Sequence, residues 1–253
     1  MVNYEVEGHV ALITINRPEA RNAVNGEVAQ GIEAAIDRLE EDNAVWIGIL
    51  TGDGPVFCAG ADLKAINSGK GAELMTQRGG FAGLVQRERT KPLIAAVNGP
   101  AYAGGCEIAL ACDLIVAAEG TTFSVPEVKR CLVAAAGALF RLPAALPRNT
   151  AMELVLTGDP ISAERAHELG MVSRLTPEGG AIEGARVLAG QINANAPVAV
   201  RESRKVIAAA PYESDEAGFA ASNAAMGVAM SSSDVAEGLT AFIEKRPPEW
   251  KGV

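Results

Sequence analysis

The sequence predicts an α/β fold. Short apolar runs of strand length end at turn-forming residues, and segments with helical spacing of apolar residues lie between them. Hydrophobic residues make up 49% of the 253-residue chain, which allows a large buried core and excludes a disordered chain. Strand and helix patterns alternate, and this alternation alone would equally suggest a doubly wound sheet.

The predicted strands are 10–15, 45–50, 93–97 and 114–118. The first completes a β-hairpin, because residues 4–15 alternate in polarity and turn at Glu7-Gly8. The other three are apolar runs of the kind that buried strands contain. Turn sequences follow two of them, TGDGP after the second and NGP after the third. After the first of these turns, the chain is expected to pass through a corner at Gly60 toward a helix.

The predicted helices of the first two thirds of the chain are 27–40, a segment that starts near Cys106, 151–156 and 162–169. In 27–40 the apolar residues share one face, and acidic residues occupy the other. The segment that starts near Cys106 is apolar on all sides, as a buried helix would be. Gly170 provides a stop for the helix 162–169.

Beyond Pro197 the strand signals vanish, and three helices are predicted at 201–209, 216–230 and 234–245. Asp234 and Glu237 have the spacing of a capping box for the last of them. Several large apolar residues would be exposed on an isolated helical tail: Phe219, Met226, Met230, Leu239, Phe242 and Ile243. We therefore predict a core of residues 1–196 and a helical region of residues 197–253 that packs against another subunit.

Charge and targeting signals exclude several classes of protein. A net charge of −9 argues against nucleic acid or an anionic membrane as the main partner, so an anionic ligand needs a local group of cations. The N-terminus has no signal-peptide pattern, and Glu107 and Asp113 interrupt the apolar stretch 95–118, so no membrane span is expected.

The cysteines and histidines argue against metal or thiol chemistry. Four cysteines without a CxxC pair indicate buried thiols in a reducing, cytoplasmic environment: Cys58, Cys106, Cys112 and Cys131. The two histidines, His9 and His167, form no zinc motif, and no nucleotide-binding or nucleophile-elbow motif is present. We expect no metal.

Two glycine-containing corners carry the first candidate site. The backbone N–H groups of Ala61 and Gly104 each follow such a corner and precede a predicted helix, so they lack intrahelical partners. If they converged on one oxygen, they would stabilise negative charge that develops on this oxygen during a reaction. From these residues alone, the glycines could equally serve only to make tight turns.

A pair of carboxylates carries the second candidate site. Glu107 lies in the first turn of the buried helix, where a lone charge would be costly, and Glu127 follows Pro126. Two carboxyls in a partly apolar site can hold different protonation states and divide acid and base roles. Taken alone, such a pair would more commonly be a helix-terminal charge and a solvated loop residue.

Three segments resemble the enoyl-CoA hydratase/isomerase (crotonase) superfamily: NGPAYAGGCEIALACDLIVA, FSVPEVK and VFCAGADLK. The resemblance extends from INRPEARNAVN near the start to AFIEKR near the end. It implies a crotonase-like spiral of ββα units with a C-terminal helical trimerisation region, and hence a homotrimer or a dimer of trimers. It also implies that the N–H groups of Ala61 and Gly104 form the oxyanion hole.

The resemblance implies an enoyl-CoA hydratase, because family hydratases carry a glutamate at each position that matches Glu107 and Glu127. The expected reaction is syn addition of water to a trans-2-enoyl-CoA, which gives a 3-hydroxyacyl-CoA. Glu127 would donate the proton to the α-carbon, and Glu107 would help to position and deprotonate the water. Coenzyme A belongs to the substrate, so no separate cofactor is expected.

The substrate-binding residues implied by the resemblance are Arg21, Ala23, Ala59, Asp62, Leu63, Lys64, Tyr102, Gly105, Pro126, Leu132, Phe242 and Lys245. The last two would reach the nucleotide bound by a neighbouring subunit. Arg17, Arg21 and Lys64 lie near the expected pocket and could face phosphates. Residues 132–137 depart from the Pro-Gly turn of many hydratases, which leaves acyl-chain length and branching open.

Three alternatives remain. The chain could be a Δ3,Δ2-enoyl-CoA isomerase, or a dehydratase of another 3-hydroxyacyl-CoA. It could also be a non-catalytic acyl-CoA-binding protein on the same fold, although binding alone requires neither Glu107 nor Glu127.

Overall fold

A computed structural model describes all residues, 1–253. The strands are β1 (Val2–Glu7), β2 (Val10–Ile15), β3 (Ile47–Gly52), β4 (Met75–Thr76), β5 (Gly80–Phe81), β6 (Leu93–Val97), β7 (Ala101–Tyr102), β8 (Leu114–Ala118), β9 (Thr122–Ser124), β10 (Ile161–Ser162) and β11 (Arg174–Thr176). The helices are α1 (Gly26–Glu41), α2 (Leu63–Ala65), α3 (Gly104–Ala111), α4 (Ala138–Ala145), α5 (Arg148–Thr157), α6 (Ala163–Glu168), α7 (Ala181–Asn193), α8 (Pro197–Ala209), α9 (Asp215–Ser231) and α10 (Asp234–Glu244).

The main sheet has six strands in the order β1-β2-β3-β6-β8-β11. The predicted hairpin pairs β1 with β2 antiparallel, and all the other neighbours are parallel. Every residue of β3 and β6 is buried, because both faces of the sheet are covered. One face packs into the main core, and the other packs against α7, which presents Ala181, Ala185 and Ala189 at helical spacing.

A second, smaller sheet lies beside the first and creates the spiral. Its strands are ordered β10-β9-β7, and an isolated bridge between Cys58 and Ala101 continues the pairing beyond β7. Thus β3, β6 and β8 are each followed by a short segment in this second layer, and β3 and β6 then continue into a helix. The repeated unit is the expected ββα turn, and the fold is not a doubly wound sheet.

Local signals explain why α1 begins where it does. Asn25 has extended backbone angles, and its side chain accepts a hydrogen bond from the Val28 N–H at 2.9 Å, which caps the helix. The apolar face predicted from residues 27–40 is buried completely at Ile32, Ile36 and Leu39. Burial of side chains of this kind stabilises the fold by roughly 1.5–3 kcal/mol each.

Every predicted helix and strand is present, although some bounds differ. The strand predicted at 45–50 begins at Ile47, and Val45 and Trp46 are buried just before it. The elements that were not predicted include α4, α7, β11 and the short strands β4, β5, β7, β9 and β10. Among them, β11 completes the main sheet and α7 covers its outer face. Residues 66–81 form a π-helical turn, a 3₁₀ turn and the two-residue strands β4 and β5.

The predicted capping box at the start of α10 is wrong. Ser233, which precedes the helix, makes no side-chain cap, and the Asp234 carboxylate accepts from the N–H groups of Lys251 and Gly252 at 2.7 and 2.8 Å. Glu237 accepts from Arg246 and from the Glu249 N–H. Both carboxylates therefore hold the C-terminal residues of the chain, and neither satisfies the first turn of α10.

The cysteine prediction is correct for three residues and wrong for the fourth. Cys58, Cys106 and Cys112 are buried, and burial raises the pKa of each thiol. Cys131 is exposed, and it occupies a left-handed position after a 3₁₀ turn.

The C-terminal region consists of α8, α9 and α10, as predicted. Helix α8 begins at Pro197, where the boundary between the two regions was predicted, but separate folding of the regions stays a prediction. The large apolar residues predicted to be exposed are exposed, including Phe219 at 72% and Phe242 at 84%. No helix of the chain combines the length and the apolar character needed to cross a bilayer.

Candidate active site

A cavity of about 620 Å³ opens where the Gly60 corner, the N-terminus of α3 and residues 126–136 meet. Most of its lining is apolar. The predicted site residues that line it are Arg21, Ala59, Ala61, Leu63, Tyr102, Gly104, Glu107, Pro126, Glu127 and Leu132. The cavity therefore brings together both candidate catalytic carboxyls and both candidate amide donors.

The two candidate amide donors lie on adjacent corners of the backbone. Gly60 has a φ of +90°, and a Cβ at this position would come within 2.9 Å of the Gly104 nitrogen. The first corner is fixed by Val24, whose N–H donates to the Gly60 carbonyl at 2.8 Å and whose carbonyl accepts from the Asp62 N–H at 2.9 Å. Neither the Ala61 N–H nor the Gly104 N–H donates to a protein acceptor, so both are available to an oxygen in the cavity.

The residue before the second donor is strained. Ala103 has φ +51° and ψ −128°, a combination that costs a non-glycine residue roughly 1–3 kcal/mol. Its N–H donates to the Ser124 carbonyl at 2.8 Å, and its carbonyl accepts from the Cys106 N–H at 2.9 Å. These bonds hold the corner in the geometry that turns the Gly104 N–H toward the cavity.

Glu107 is a buried acid in the first turn of α3. Only 3% of the residue is exposed, and its Oε1 accepts a hydrogen bond from the Ala138 N–H at 3.1 Å. Burial raises the pKa of the carboxyl from 4.5 to about 7. The Ala138 N–H opposes this rise, and the nearby Glu127 carboxylate adds to it. Glu107 can therefore exchange a proton near neutral pH.

Glu127 lies in the 3₁₀ turn Pro126–Arg130, which begins at the proline ring. The residue is half-buried, and its Oε2 is buried without a hydrogen-bond partner in the protein. Burial raises the pKa of this carboxyl, and the Arg130 guanidinium opposes the rise. A buried carboxyl oxygen without a protein partner is uncommon and is typical of a group that acts on a ligand.

Part of the apolar wall of the cavity lies outside the residues predicted from the sequence. It includes Ile66, Met75, Phe81 and Val85, which come from the irregular segment before β6. This segment has no regular hydrophobic period, so the sequence offers no pattern that would assign its side chains to a cavity. The segment 132–137, which was predicted to border the acyl pocket, contributes Leu132, Val133, Ala135 and Ala136.

Several predicted binding residues do not line the cavity: Ala23, Asp62, Lys64, Gly105, Phe242 and Lys245. Asp62 caps α2 and pairs with Arg17 at 2.7 Å, and Arg17 also donates to the Ala23 carbonyl. Arg17 is thus engaged within the protein, contrary to the expectation that it could face phosphates. A Cβ on Gly105 would approach the Cys58 carbonyl to 2.0 Å, so this glycine serves close backbone packing.

The remaining residues of that group are exposed. Lys64 lies on the surface of α2 beside the cavity mouth. Phe242 projects from α10, and Lys245 ends this helix in a left-handed conformation. A role of these residues in binding a nucleotide, including one held by a neighbouring subunit, stays a prediction.

Comparison with known proteins gives matches over nearly the whole chain. The family model described as enoyl-CoA hydratase/isomerase matches residues 5–253. Carnitinyl-CoA dehydratase of Salmonella typhimurium is 38% identical over 251 residues, which cover 97% of this chain and 96% of that protein.

Solved structures match just as completely. The crystal structure of an enoyl-CoA hydratase from Mycobacterium tuberculosis H37Rv has a TM-score of 0.96 at 47% identity, covering 100% of this chain and 99% of that one. The carnitinyl-CoA hydratase from Mycobacterium avium has a TM-score of 0.77 at 43% identity, covering 100% and 98% of the two chains. These similarities confirm the crotonase-like fold and the resemblance detected in the sequence.

Proposed function

The chain belongs to the enoyl-CoA hydratase/isomerase family, and we propose that it is an enoyl-CoA hydratase. It adds water syn across the double bond of a trans-2-enoyl-CoA and forms a 3-hydroxyacyl-CoA. One observation carries this proposal: Glu107 and Glu127 line the same cavity, next to two backbone N–H groups without protein acceptors. A cavity that only bound an acyl-CoA would need neither acid.

The two N–H groups act on the thioester oxygen. When a nucleophile attacks the β-carbon, negative charge develops on this oxygen as the enolate forms. Donors from Ala61 and Gly104 stabilise that charge, and because the backbone holds both of them in advance, little reorganisation accompanies the reaction. Loss of one donor of this kind typically reduces kcat by about 10²–10³.

The two acids divide the proton transfers. Glu107, with a pKa of about 7, takes a proton from the water as its oxygen bonds to the β-carbon. Glu127 gives its proton to the α-carbon of the enolate, and burial favours the protonated form that this role requires. Transfer of a proton from Glu107 to Glu127 then returns both carboxyls to their starting states. The net reaction consumes one water molecule.

The rest of the cavity suits an acyl-CoA. Its apolar walls favour a hydrocarbon acyl chain, and Arg21 and Arg130 supply positive charge at the lining of a protein with a net charge of −9. An acidic protein needs a local group of cations to bind an anionic ligand, and these two arginines supply one.

A second candidate is the dehydration of another 3-hydroxyacyl-CoA. It is favoured by the 38% identical relative named carnitinyl-CoA dehydratase. Dehydration uses the same two acids in the reverse direction, so the geometry of the site supports both reactions.

The deciding experiment is a turnover panel with purified protein. The substrates are trans-2-enoyl-CoA thioesters of several chain lengths, a trans-3-enoyl-CoA and carnitinyl-CoA, and products are identified by mass spectrometry. Wild type is compared with Glu127→Gln and with Glu153→Gln, which changes an exposed glutamate on α5. We expect hydration of 2-enoyl thioesters by wild type and by Glu153→Gln only.

Other outcomes identify the alternatives. Conversion of the 3-enoyl substrate without hydration would indicate an isomerase, and preferred turnover of carnitinyl-CoA would indicate the second candidate. Tight binding of acyl-CoA without turnover of any substrate would contradict an enzymatic role.

A further inference from the structure

Arg141, on α4, is a half-buried cation without a carboxylate partner. Several other half-buried arginines are paired with carboxylates: Arg17 with Asp62, Arg87 with Asp37, and Arg89 and Arg204 with Asp113. The Arg141 guanidinium instead donates to two backbone carbonyls, to Val85 at 2.6 Å and to Ala136 at 3.4 Å. Burial lowers the pKa of this guanidinium, because desolvation disfavours the charged form.

Both of these carbonyls belong to walls of the catalytic cavity. Val85 lies at the end of the irregular segment before β6, and Ala136 lies in the loop before α4. The Arg141 side chain therefore joins the two wall segments through hydrogen bonds. Gly137 makes this possible, because a Cβ at this position would lie 2.2 Å from the Arg141 Nη1.

The joined loop leads directly to Glu107. Ala138 follows Gly137, is fully buried, and donates its N–H to the Glu107 Oε1 at 3.1 Å. We propose that Arg141 is a positioning residue, which fastens the loop 135–138 to Val85 so that the Ala138 N–H holds the Glu107 carboxyl toward the substrate. This inference rests on the proposed catalytic role of Glu107.

Arg141 also acts on Glu107 through its charge. The charged groups that affect the Glu107 carboxyl are Glu127, in the 3₁₀ turn, which raises its pKa, and Arg141, which lowers it. Arg21 and Arg130 also line the cavity, and Arg130 acts on Glu127. Removal of the Arg141 charge and a weaker hydrogen bond from the Ala138 N–H both shift the pKa of Glu107 upward. Less of the Glu107 carboxylate is then present at neutral pH.

The test compares Arg141→Met and Arg141→Lys with the control Arg87→Met. Arg87 is half-buried and pairs with Asp37, and no hydrogen bond or ion pair joins its side chain to the loop 135–138 or to Glu107. We expect Arg141→Met to lower kcat by about 10- to 100-fold, since misplacement of a reacting group by about 1 Å can cost about 10²-fold. Arg141→Lys keeps the charge but loses the fork that spans both carbonyls, so its loss is smaller.

A readout that does not depend on turnover separates this inference from the proposed function. The Glu107 carboxyl is titrated by ¹³C NMR in the ligand-free protein, and its signal is assigned with Glu107→Gln. We expect the titration midpoint to rise in Arg141→Met, to rise less in Arg141→Lys, and to stay unchanged in Arg87→Met. A midpoint shift in a protein that hydrates no enoyl-CoA would leave the positioning role standing and reject the hydratase proposal.

Two results would overturn the inference. One is an unchanged Glu107 midpoint in Arg141→Met with a lowered melting temperature, which would assign Arg141 a purely structural role. If Arg141→Met does not fold, Arg141→Lys and Arg141→Gln carry the test, because glutamine removes the charge and keeps an amide donor. The second result that would overturn the inference is a normal kcat and an unchanged Glu107 midpoint in both of these variants when they are folded.

Discussion

Gly60 and Gly104 lie so close that a single methyl group on Gly60 would come within 2.9 Å of the Gly104 nitrogen. The same methyl group would also approach the Ala103 Cβ to 2.9 Å. Two corners that are distant in the chain therefore touch through backbone atoms, and their N–H groups are presented to one cavity.

Gly60→Ala is therefore expected to disturb both amide donors at once. The added Cβ forces the corners apart, and we expect kcat for hydration to fall by about 10²–10³, the typical effect of losing one such donor. Gly120→Ala is the matched control, because Gly120 also has positive φ (+75°) but has no atom within 4 Å of its would-be Cβ. Equal kinetic losses in the two variants would show that backbone strain alone, and not contact between the corners, is responsible.

Glu107 is expected to cause a loss of activity as the pH becomes acidic. Because the pKa of Glu107 is raised to about 7, its carboxylate forms as the pH rises through that value. We expect kcat/KM for hydration to rise with pH as Glu107 ionises, and to fall again as Glu127 loses the proton that it donates to the α-carbon. Glu107→Gln should lose about 10²–10⁴ in rate. A profile that is flat from pH 5 to pH 8 would contradict a role of Glu107 as the base.

The same raised pKa predicts that Glu107 destabilises the folded protein at neutral and higher pH. Below pH 4.5 the carboxyl is protonated in both states; between 4.5 and about 7 the unfolded chain loses the proton first, so stability falls as pH rises. The full effect is on the order of 3 kcal/mol. Chemical denaturation should find Glu107→Gln more stable than wild type at pH 8 and similar to it at pH 4. An advantage of the variant that stays the same at both pH values would contradict this linkage.

Asp234 is expected to anchor the C-terminus of the chain. The residue is 2% exposed and accepts two backbone hydrogen bonds from Lys251 and Gly252, so Asp234→Ala removes the acceptor of two partly buried donors. We expect a loss of about 1–3 kcal/mol in the free energy of unfolding and faster hydrogen exchange in residues 246–253. Glu213→Ala, at an exposed position, serves as the control. Unchanged exchange in the last eight residues would show that other contacts suffice to hold them.

The apolar face of α9 and α10 is expected to be covered by other subunits. We expect light scattering of the wild-type protein to give three or six times the chain mass of 26.1 kDa. Phe219→Ser combined with Met226→Ser should shift the mass toward that of a single chain, because both side chains are more than half exposed in one chain. Leu156→Ser, at an exposed site on α5, is the control. A wild-type mass near 26 kDa would contradict the prediction.

The sequence predicted the parts of the fold in which one pattern dominates. Strands β6 and β8 are apolar at nearly every residue because both sheet faces are covered, and few structures besides a buried strand produce such short runs between turns. Helix α7 was missed although its buried face, formed by Ala181, Ala185 and Ala189, has the spacing of a helix. Strand β11 has only three residues and gains its place by pairing with β8, a contact that no local pattern records.

The candidate site likewise contains residues that the sequence predicted and residues that it did not. Glu107 and Glu127 were identified because they lie in motifs with family-wide resemblance, and both line the cavity. Phe81 and Met75 could not be identified, because their position depends on two-residue strands and a π-helical turn that have no sequence signature. Asp234 and Glu237 gave a wrong prediction, since capping-box spacing specifies only a possible contact, and the C-terminal residues compete for the same carboxylates.

The strained backbone at Ala103 has a consequence for how this protein could change over time. A glycine there would adopt φ +51° freely, so Ala103→Gly is an easy route to a more relaxed fold. The relaxed corner would also sample other conformations, and the neighbouring Gly104 N–H would no longer have a fixed orientation. Selection for stability therefore favours glycine at residue 103, whereas selection for faster turnover favours alanine.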